Sequence, residues 1–410
     1  MGSFLAKWTG TGMALVASLL LAGGAAAHDD DCKLSRIERL GKKLFFDDDL
    51  STPPGQSCAA CHGEKVGFTG PEEDINKRGA VYPGAIRSRF GNRKPPAAAY
   101  AGDSPVLHYD DDLGVFVGGM FWDGRATGET LGDPLAEQAE GPFLNPLEQN
   151  NPNPRSVVLK VRKSDYRDLF EKVWGRNALD DVDRAYEQIA RSIAAYERSP
   201  EVSPFSSKYD RYLAGKATLS RKEAKGLALF EGKANCAACH PSQPGPDGEP
   251  PLFTDFTYDN IGVPKNPRNP FYREPQYNPD GKNWVDLGLG AFLATQPGYG
   301  GYAEQNYGKH KVPTLRNVDE RPDDDFDKAY AHNGYFKSLE EIVHFYNTRD
   351  VLPPPDRVSD PKPGLNCWPP PEVTSNLNRT EVGNLGLTDD EEDAIVSFLE
   401  TLTDRKVDCD

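Results

Sequence analysis

The segment Cys58-Ala-Ala-Cys61-His62 recurs unchanged at Cys236-Ala-Ala-Cys239-His240. Two thiols two residues apart, followed at once by an imidazole, form the attachment signature of c-type haem. The spacing lets both thiols bond the vinyl groups of one porphyrin while the adjacent histidine presents a ring nitrogen to iron. A redox or zinc Cys-x-x-Cys can precede a histidine by chance. Two identical motifs in similar surroundings point instead to two covalently bound haems, with His62 and His240 as proximal iron ligands.

The surroundings are also duplicated. Gly41-Lys-Lys-Leu44-Phe45 precedes the first motif and Phe68-Thr69 follows it, while Gly226-Leu-Ala-Leu229-Phe230 precedes the second and Phe253-Thr254 follows. This reads as a repeated cytochrome module. A length of 410 residues suits two domains. We expect one over 28–203 and one over 204–410, with the linker near Pro200–Pro204.

Helical periodicity is clearest over Ser156–Trp174, Val182–Ser199, Leu219–Phe230, Leu339–Asn347 and Asp389–Thr403, with capping boxes at Ser338/Glu341 and Thr388/Glu391. Strand signals are weak. The irregular stretches at 63–155 and 241–337 are long enough to need something to pack on, which a large apolar cofactor supplies. The expected fold class is therefore mainly α: two loop-rich, cytochrome c-like haem domains.

Lys7, the short apolar run Met13–Ala22 and the small residues Ala25–Ala27 resemble a signal peptide, with the mature chain starting near His28. The run is too short to span a bilayer, so a periplasmic protein with no stable membrane span after processing is expected. Loss of residues 1–27 moves the formal charge from −16 to −17, because Lys7 is their only charge. So acidic a chain does not suit nucleic acid, whose phosphates attract basic faces, but it suits a basic protein partner. Four of the seven cysteines lie in the haem motifs. Cys32, Cys367 and Cys409 remain. An exported location permits one disulfide among them, without choosing the pair.

The distal side of each haem separates an electron carrier from a catalyst. A carrier fills both axial positions, whereas a catalyst leaves one open. Met120 is the only methionine beyond the signal segment, and its setting, Gly118-Gly119-Met120-Phe121-Trp122, suits packing more than ligation.

Five further strings carry a resemblance. They are Phe121-Trp-Asp-Gly-Arg125, Glu137-Gln-Ala-Glu-Gly-Pro142, Asn145-Pro-Leu-Glu148, Lys311-Val-Pro-Thr-Leu-Arg-Asn317, and His332-Asn-Gly334 leading to His344-Phe-Tyr-Asn347. In this order, with both haem motifs, the chain resembles the bacterial di-haem cytochrome c peroxidase and MauG superfamily. The resemblance implies that hydrogen peroxide binds at the first haem, with Gln138 and Glu148 in the distal pocket and Pro142 close by. A carboxylate there can take a proton from peroxide and return it to the leaving oxygen. Family peroxidases often block the resting first haem with a loop histidine. None occurs here between His62 and His108, so this site is expected to be open at rest.

At the second haem, Tyr346 stands where the peroxidases place a methionine ligand, and MauG uses tyrosine. Leu339, Ile342 and Tyr346 share one helix face, so Tyr346 is expected to point inward. Trp122 matches the family's relay between the haems. Arg125 and Arg316 are candidates for pairing with haem propionates. The family also holds calcium between its domains through an asparagine side chain and two backbone carbonyls. Here Arg93-Lys94-Pro95-Pro96 replaces the usual Arg-Asn-x-Pro. Asn92 is the substitute ligand, and Asp327 and Ala329 occupy the carbonyl positions.

Three activities are consistent with this reading. The chain could be a peroxidase fed by a small cytochrome c or copper protein, a MauG-like enzyme that oxidises residues of a partner protein, or a non-enzymatic electron carrier. The duplicated motif fixes a count common to all three. Intact mass and pyridine haemochrome absorbance should give two covalent haems per chain, and joint Cys236→Ser and Cys239→Ser substitution should leave one.

Overall fold

The structure is a computed structural model that describes residues 32–407 and 409. The signal-like segment at 1–27 lies outside the described residues.

Helix α1 (Arg36–Phe46) starts at Ser35, whose hydroxyl accepts from the Glu38 N–H while the Glu38 carboxylate accepts from the Ser35 N–H. This reciprocal cap fixes the start of the helix and turns Leu40, Gly41, Leu44 and Phe45 inward. There follow α2 (Glu73–Lys77), α3 (Pro134–Leu144), α4 (Pro154–Lys163), α5 (Arg167–Trp174), α6 (Val182–Glu197) and α7 (Lys208–Leu213). The later helices are α8 (Arg221–Glu231), α9 (Gly288–Ala294), α10 (Leu339–Thr348) and α11 (Asp389–Glu400). Among the described residues, strands are limited to two short antiparallel ladders. One pairs β1 (His108–Asp110) with β2 (Val115–Val117), and the other pairs β3 (Tyr258–Asp259) with β4 (His310–Lys311). No described helix is long and apolar enough to cross a membrane.

Two large apolar cores form. The first gathers Leu40, Phe45, Phe143, Val157, Phe170 and Ile193, and the second gathers Tyr209, Phe230, Phe253, Phe336, Phe345 and Phe398. Their frameworks match. A Cβ on Gly41 would lie 1.9 Å from the Ser192 carbonyl oxygen and 2.8 Å from Tyr196 Cβ. A Cβ on Gly226 would lie 1.9 Å from the Ala394 carbonyl oxygen and 2.8 Å from Phe398 Cβ. Thus α1 crosses α6 as α8 crosses α11, each through a glycine that admits backbone-to-backbone contact. Cys409 returns to the first core and forms a disulfide with Cys32, leaving Cys367 as a buried thiol.

Several elements differ from expectation. The pattern over Ser156–Trp174 predicts one helix, but extended backbone at Ser164 separates α4 from α5, and the Ser164 hydroxyl donates to the Val161 carbonyl. At α10, Ser338 caps the Glu341 N–H, but the Glu341 carboxylate accepts from the Lys337 N–H, so that box is only half made. Helix α3 forms inside an expected irregular stretch. Asp133 caps it, Pro134 occupies its first turn, and Pro142 sits within its last turn.

The glycine crossings give a stability test. Gly226→Ala should destabilise the protein by about 1–3 kcal/mol in denaturant unfolding, because overpacking outweighs the gain in helix propensity.

Candidate functional site

In each half the imidazole of the Cys-Ala-Ala-Cys-His segment is oriented in the same way. His62 Nδ1 lies 3.1 Å from the Phe68 carbonyl, and His240 Nδ1 lies 2.7 Å from the Phe253 carbonyl. A proton on Nδ1 satisfies each carbonyl and leaves Nε2 as the lone-pair donor for iron. Phe68 and Phe253 both hold left-handed backbone, φ 54° and 53°, which turns their carbonyls back toward the ring. Burial keeps both imidazoles neutral, and lowers His62 to about 4. The four motif thiols are unpaired and only partly exposed.

Of the residues expected around the first haem, Glu148 lies within electrostatic reach of Cys61 and of Arg125. Burial, with the Glu148 carboxylate next in effect, pushes the Cys61 thiol up to about 12. Burial raises the Glu148 carboxyl, against the pull of the Arg125 guanidinium and the Asn145 amide. Arg125 pairs with Asp123 at 2.8 Å and its guanidinium carbon stands 3.7 Å from the Phe121 ring centre. The position of a Cβ on Gly141, in the last turn of α3, is 3.3 Å from that same ring. Gln138 and Pro142 lie on α3, both half-buried. Met120 is buried among Ala101, Leu135, Ala136 and Ala194, a packing role.

The second half encloses a cavity of about 230 Å³. Cys236, Cys239, His240 and Tyr346 line it, along with apolar side chains from α8, α10 and α11 that include Phe230, Leu339, Ile342 and Ile395. The Tyr346 hydroxyl has no hydrogen-bond partner among the described residues, and burial raises its pKa. Lys94, Lys311 and Lys328 also line the cavity. All three ammonium groups are buried or nearly so, and none has a carboxylate within ion-pair distance among the described residues. Burial lowers Lys94 and Lys311 to about 7, Lys328 and Lys337 adding to the effect at Lys94. An apolar slot with thiols, an imidazole and unneutralised ammonium groups suits haem, whose macrocycle is apolar and whose two propionates are anionic.

Arg316 is already engaged. It forms a bidentate pair with Asp210 at 2.9 and 2.8 Å and donates through Nε to the Pro251 carbonyl at 2.7 Å. Arg316 thus meets the cavity already paired with a carboxylate, whereas Lys94, Lys311 and Lys328 meet it bonded only to hydroxyl and carbonyl oxygens. Sequence reasoning missed them, although the signal was present. Arg93-Lys94-Pro95-Pro96 and His310-Lys311-Val312-Pro313 are a further pair of repeated segments. The Thr69 hydroxyl donates to the Pro95 carbonyl at 2.6 Å, and the Thr254 hydroxyl donates to the Val312 carbonyl at 2.7 Å. The loops holding Trp122 and His332 repeat too, closed by the bridges Met120↔Ala126 and Tyr330↔Phe336. Lys311 N–H donates to the Trp122 carbonyl and Lys94 N–H to the His332 carbonyl, both at 2.9 Å. Trp122 and His332 face each other with ring centres 6.4 Å apart, and Trp122 Nε1 donates to the Lys94 carbonyl at 2.9 Å.

Beside them His310 stacks on His332, ring centres 3.5 Å apart. Asp286 completes a buried group of potential metal ligands, but Arg93 already takes its carboxylate through two hydrogen bonds of 2.7 and 2.6 Å. Burial raises the Asp286 carboxyl, yet Arg93 and His310 outweigh it and hold the carboxyl well below the usual range. Glu197, also missed from sequence, is a buried carboxyl on α6 near Cys58, raised by burial to about 8.

This arrangement matches known proteins along nearly its whole length. Methylamine utilization protein MauG of Paracoccus denitrificans is 38% identical over 400 residues, covering 96% of this chain and 95% of that protein. The chain belongs to the di-haem cytochrome c peroxidase and MauG family. The sequence pattern of the family described as di-haem cytochrome c peroxidase matches residues 35–218. Cytochrome c551 peroxidase of Nitrosomonas europaea is 30% identical over 310 residues, 75% of this chain and 71% of that protein. Among solved structures, the diheme peroxidase BthA of Burkholderia thailandensis superposes with a TM-score of 0.72 at 29% identity, covering 91% of this chain and 87% of that one. Members of this family are peroxidase-type oxidoreductases carrying two covalently bound c-type haems, and this chain is one of them.

Proposed function

We propose that the chain is a MauG-like peroxidase, which reduces hydrogen peroxide at the first haem and draws the electrons from residues of a partner protein. The observation that carries this reading is Tyr346: a half-buried phenol that lines the same cavity as His240 and has no hydrogen-bond partner among the described residues. A hydroxyl on so apolar a wall normally finds a partner, and the iron of a haem held by His240 would be one. An anionic oxygen ligand lowers an iron's reduction potential, whereas methionine raises it. The match to MauG over 96% of the chain supports the same reading. The signal-like leader and the Cys32–Cys409 disulfide support a periplasmic location.

When bound, the haem on Cys58 and Cys61 supplies an iron that peroxide oxidises, and the haem on Cys236 and Cys239 supplies a second redox centre. The protein's own groups manage protons and electrons. Glu148, as carboxylate, takes a proton from peroxide and returns it to the leaving oxygen. Its raised pKa suits that double role. Gln138 on α3 offers an amide to position the peroxide. Trp122, fixed by its hydrogen bond to the Lys94 carbonyl, is the electron relay between the halves. Reduction of one peroxide to two waters consumes two protons and two electrons, and the electrons come from the partner's side chains.

A second reading, a peroxidase fed by a small cytochrome c or copper protein, is favoured by the similarity to cytochrome c551 peroxidase and by the formal charge of −16, which suits a basic donor.

Stopped-flow mixing of the fully oxidised protein with peroxide, with and without reduced cytochrome c, separates the two. The MauG-like reading expects reaction without prior reduction. An inert oxidised enzyme that turns over only with the donor would refute it. Tyr346→Phe should change the spin state and potential of the second haem, and Tyr346→Met should raise that potential and increase donor dependence. A spectrum unchanged in Tyr346→Phe would reduce the tyrosine to packing. Glu148→Gln should slow the reaction with peroxide by roughly 10²–10⁴-fold. The wild-type rate should fall as pH drops through the elevated Glu148 pKa, because the carboxylate is the proton acceptor, and Glu148→Gln should remove that limb.

A further inference from the structure

We infer that the cation at the junction of the two haem domains is part of this chain, the ammonium group of Lys94, in place of the calcium ion expected from the family resemblance. Lys94 stands at the position where the family's Arg-Asn-x-Pro string has its asparagine. Its backbone joins the halves: the N–H donates to the His332 carbonyl at 2.9 Å, and the carbonyl accepts from Trp122 Nε1 at 2.9 Å. Its side chain is buried, and Nζ donates to Thr69 Oγ1 at 2.7 Å and to the Pro95 carbonyl at 3.0 Å. These oxygens form a cradle for a cation, and the ammonium already fills it. Two of its three N–H groups are engaged there, which leaves one for an anion in the cavity that Lys94 lines.

The opposite side of the expected calcium site is cationic as well. Asp327 and Ala329, at the carbonyl positions, flank Lys328. That lysine is buried and donates to the Asn317 and Glu320 carbonyls at 2.8 and 2.9 Å. The Asp327 carboxylate pairs instead with Lys77 at 3.1 Å. Lys337 donates to the Asn76 and Gly334 carbonyls, each at 2.6 Å. Asn92, the substitute ligand, is tied by its backbone carbonyl to the Asn269 amide at 2.8 Å. Calcium needs about six to eight oxygen ligands. Here lysine ammonium groups have claimed several of the nearby carbonyls, and buried ammonium groups repel a divalent ion strongly because screening is weak. The substitution therefore replaces an exchangeable divalent ion with a tethered amine that carries at most a single positive charge.

The test uses the haem-loaded protein. After dialysis against EGTA, wild type should retain no stoichiometric calcium by mass-spectrometric metal analysis. Its second-haem absorbance and reduction potential should not change, and added calcium should have no effect. Lys94→Asn removes the built-in cation, so the oxidised second haem is stabilised and its potential should fall; added calcium should raise it again. Lys94→Arg should keep the wild-type potential. One calcium per chain surviving in wild type, or an EGTA-induced change in its haem spectrum, would overturn the inference even if Lys94→Asn did not fold. A Lys94→Asn protein with the wild-type potential and no response to calcium would also overturn it.

Discussion

An imidazole can serve iron through one nitrogen only if the proton on the other has a fixed destination. In both halves of this protein that destination is a phenylalanine carbonyl, Phe68 for His62 and Phe253 for His240. Each phenylalanine adopts left-handed backbone, which costs of the order of 1–3 kcal/mol for a non-glycine residue. The cost is offset by burying the ring in the domain core and by the following threonine, which ties the turn to the segment holding Lys94 or Lys311. The helices, the glycine crossings and the Trp122 and His332 loops are arranged around this unit, made once and repeated.

The repeat keeps the framework and varies the chemistry. At equivalent loop positions one half places an indole, Trp122, and the other an imidazole, His332, and the two rings meet. Arg93 and His310 occupy matching places and both reach Asp286. Lys94 and Lys311 match as well; Lys94 is buried, Lys311 is half-buried, and neither has an ion-pair partner among the described residues. Burying an unpaired ammonium costs several kcal/mol, and that cost shows in the lowered Lys94 and Lys311; haem propionates at this cavity would offset it. Haem binding and the folding of the second half are therefore coupled through charge as well as through apolar contact.

Much of this was legible in the sequence because the decisive signals are local. Five contiguous residues define each haem motif, and a two-residue echo, Phe68-Thr69 and Phe253-Thr254, marks the turn behind each histidine. Helices α6, α8, α10 and α11 follow from apolar periodicity. What escaped depends on contacts between segments far apart in the chain. Helix α3 was hidden because Gly141 and Pro142 read as loop punctuation, whereas Asp133 and the core contacts of Leu135, Ala136 and Phe143 hold it. That Arg316 also holds Asp210, 106 residues away, is something nothing local reveals. Lys94 read only as a departure from a motif. That it fills a cation cradle is visible only once Thr69, Trp122 and His332 are brought beside it.

The Cys32–Cys409 disulfide spans 377 residues and encloses all four haem-motif thiols. During synthesis Cys32 emerges before any of them, and its partner emerges after all of them. Wherever thiols are oxidised as the chain appears, Cys32 meets Cys58 and Cys61 long before Cys409 exists, and each mispairing removes a thiol from haem attachment. The correct pair therefore cannot form until the chain has been made through Cys409, by which point all four haem-motif thiols have emerged. Once made, the disulfide keeps Cys32 from competing for those thiols and holds the C-terminal tail against the first core.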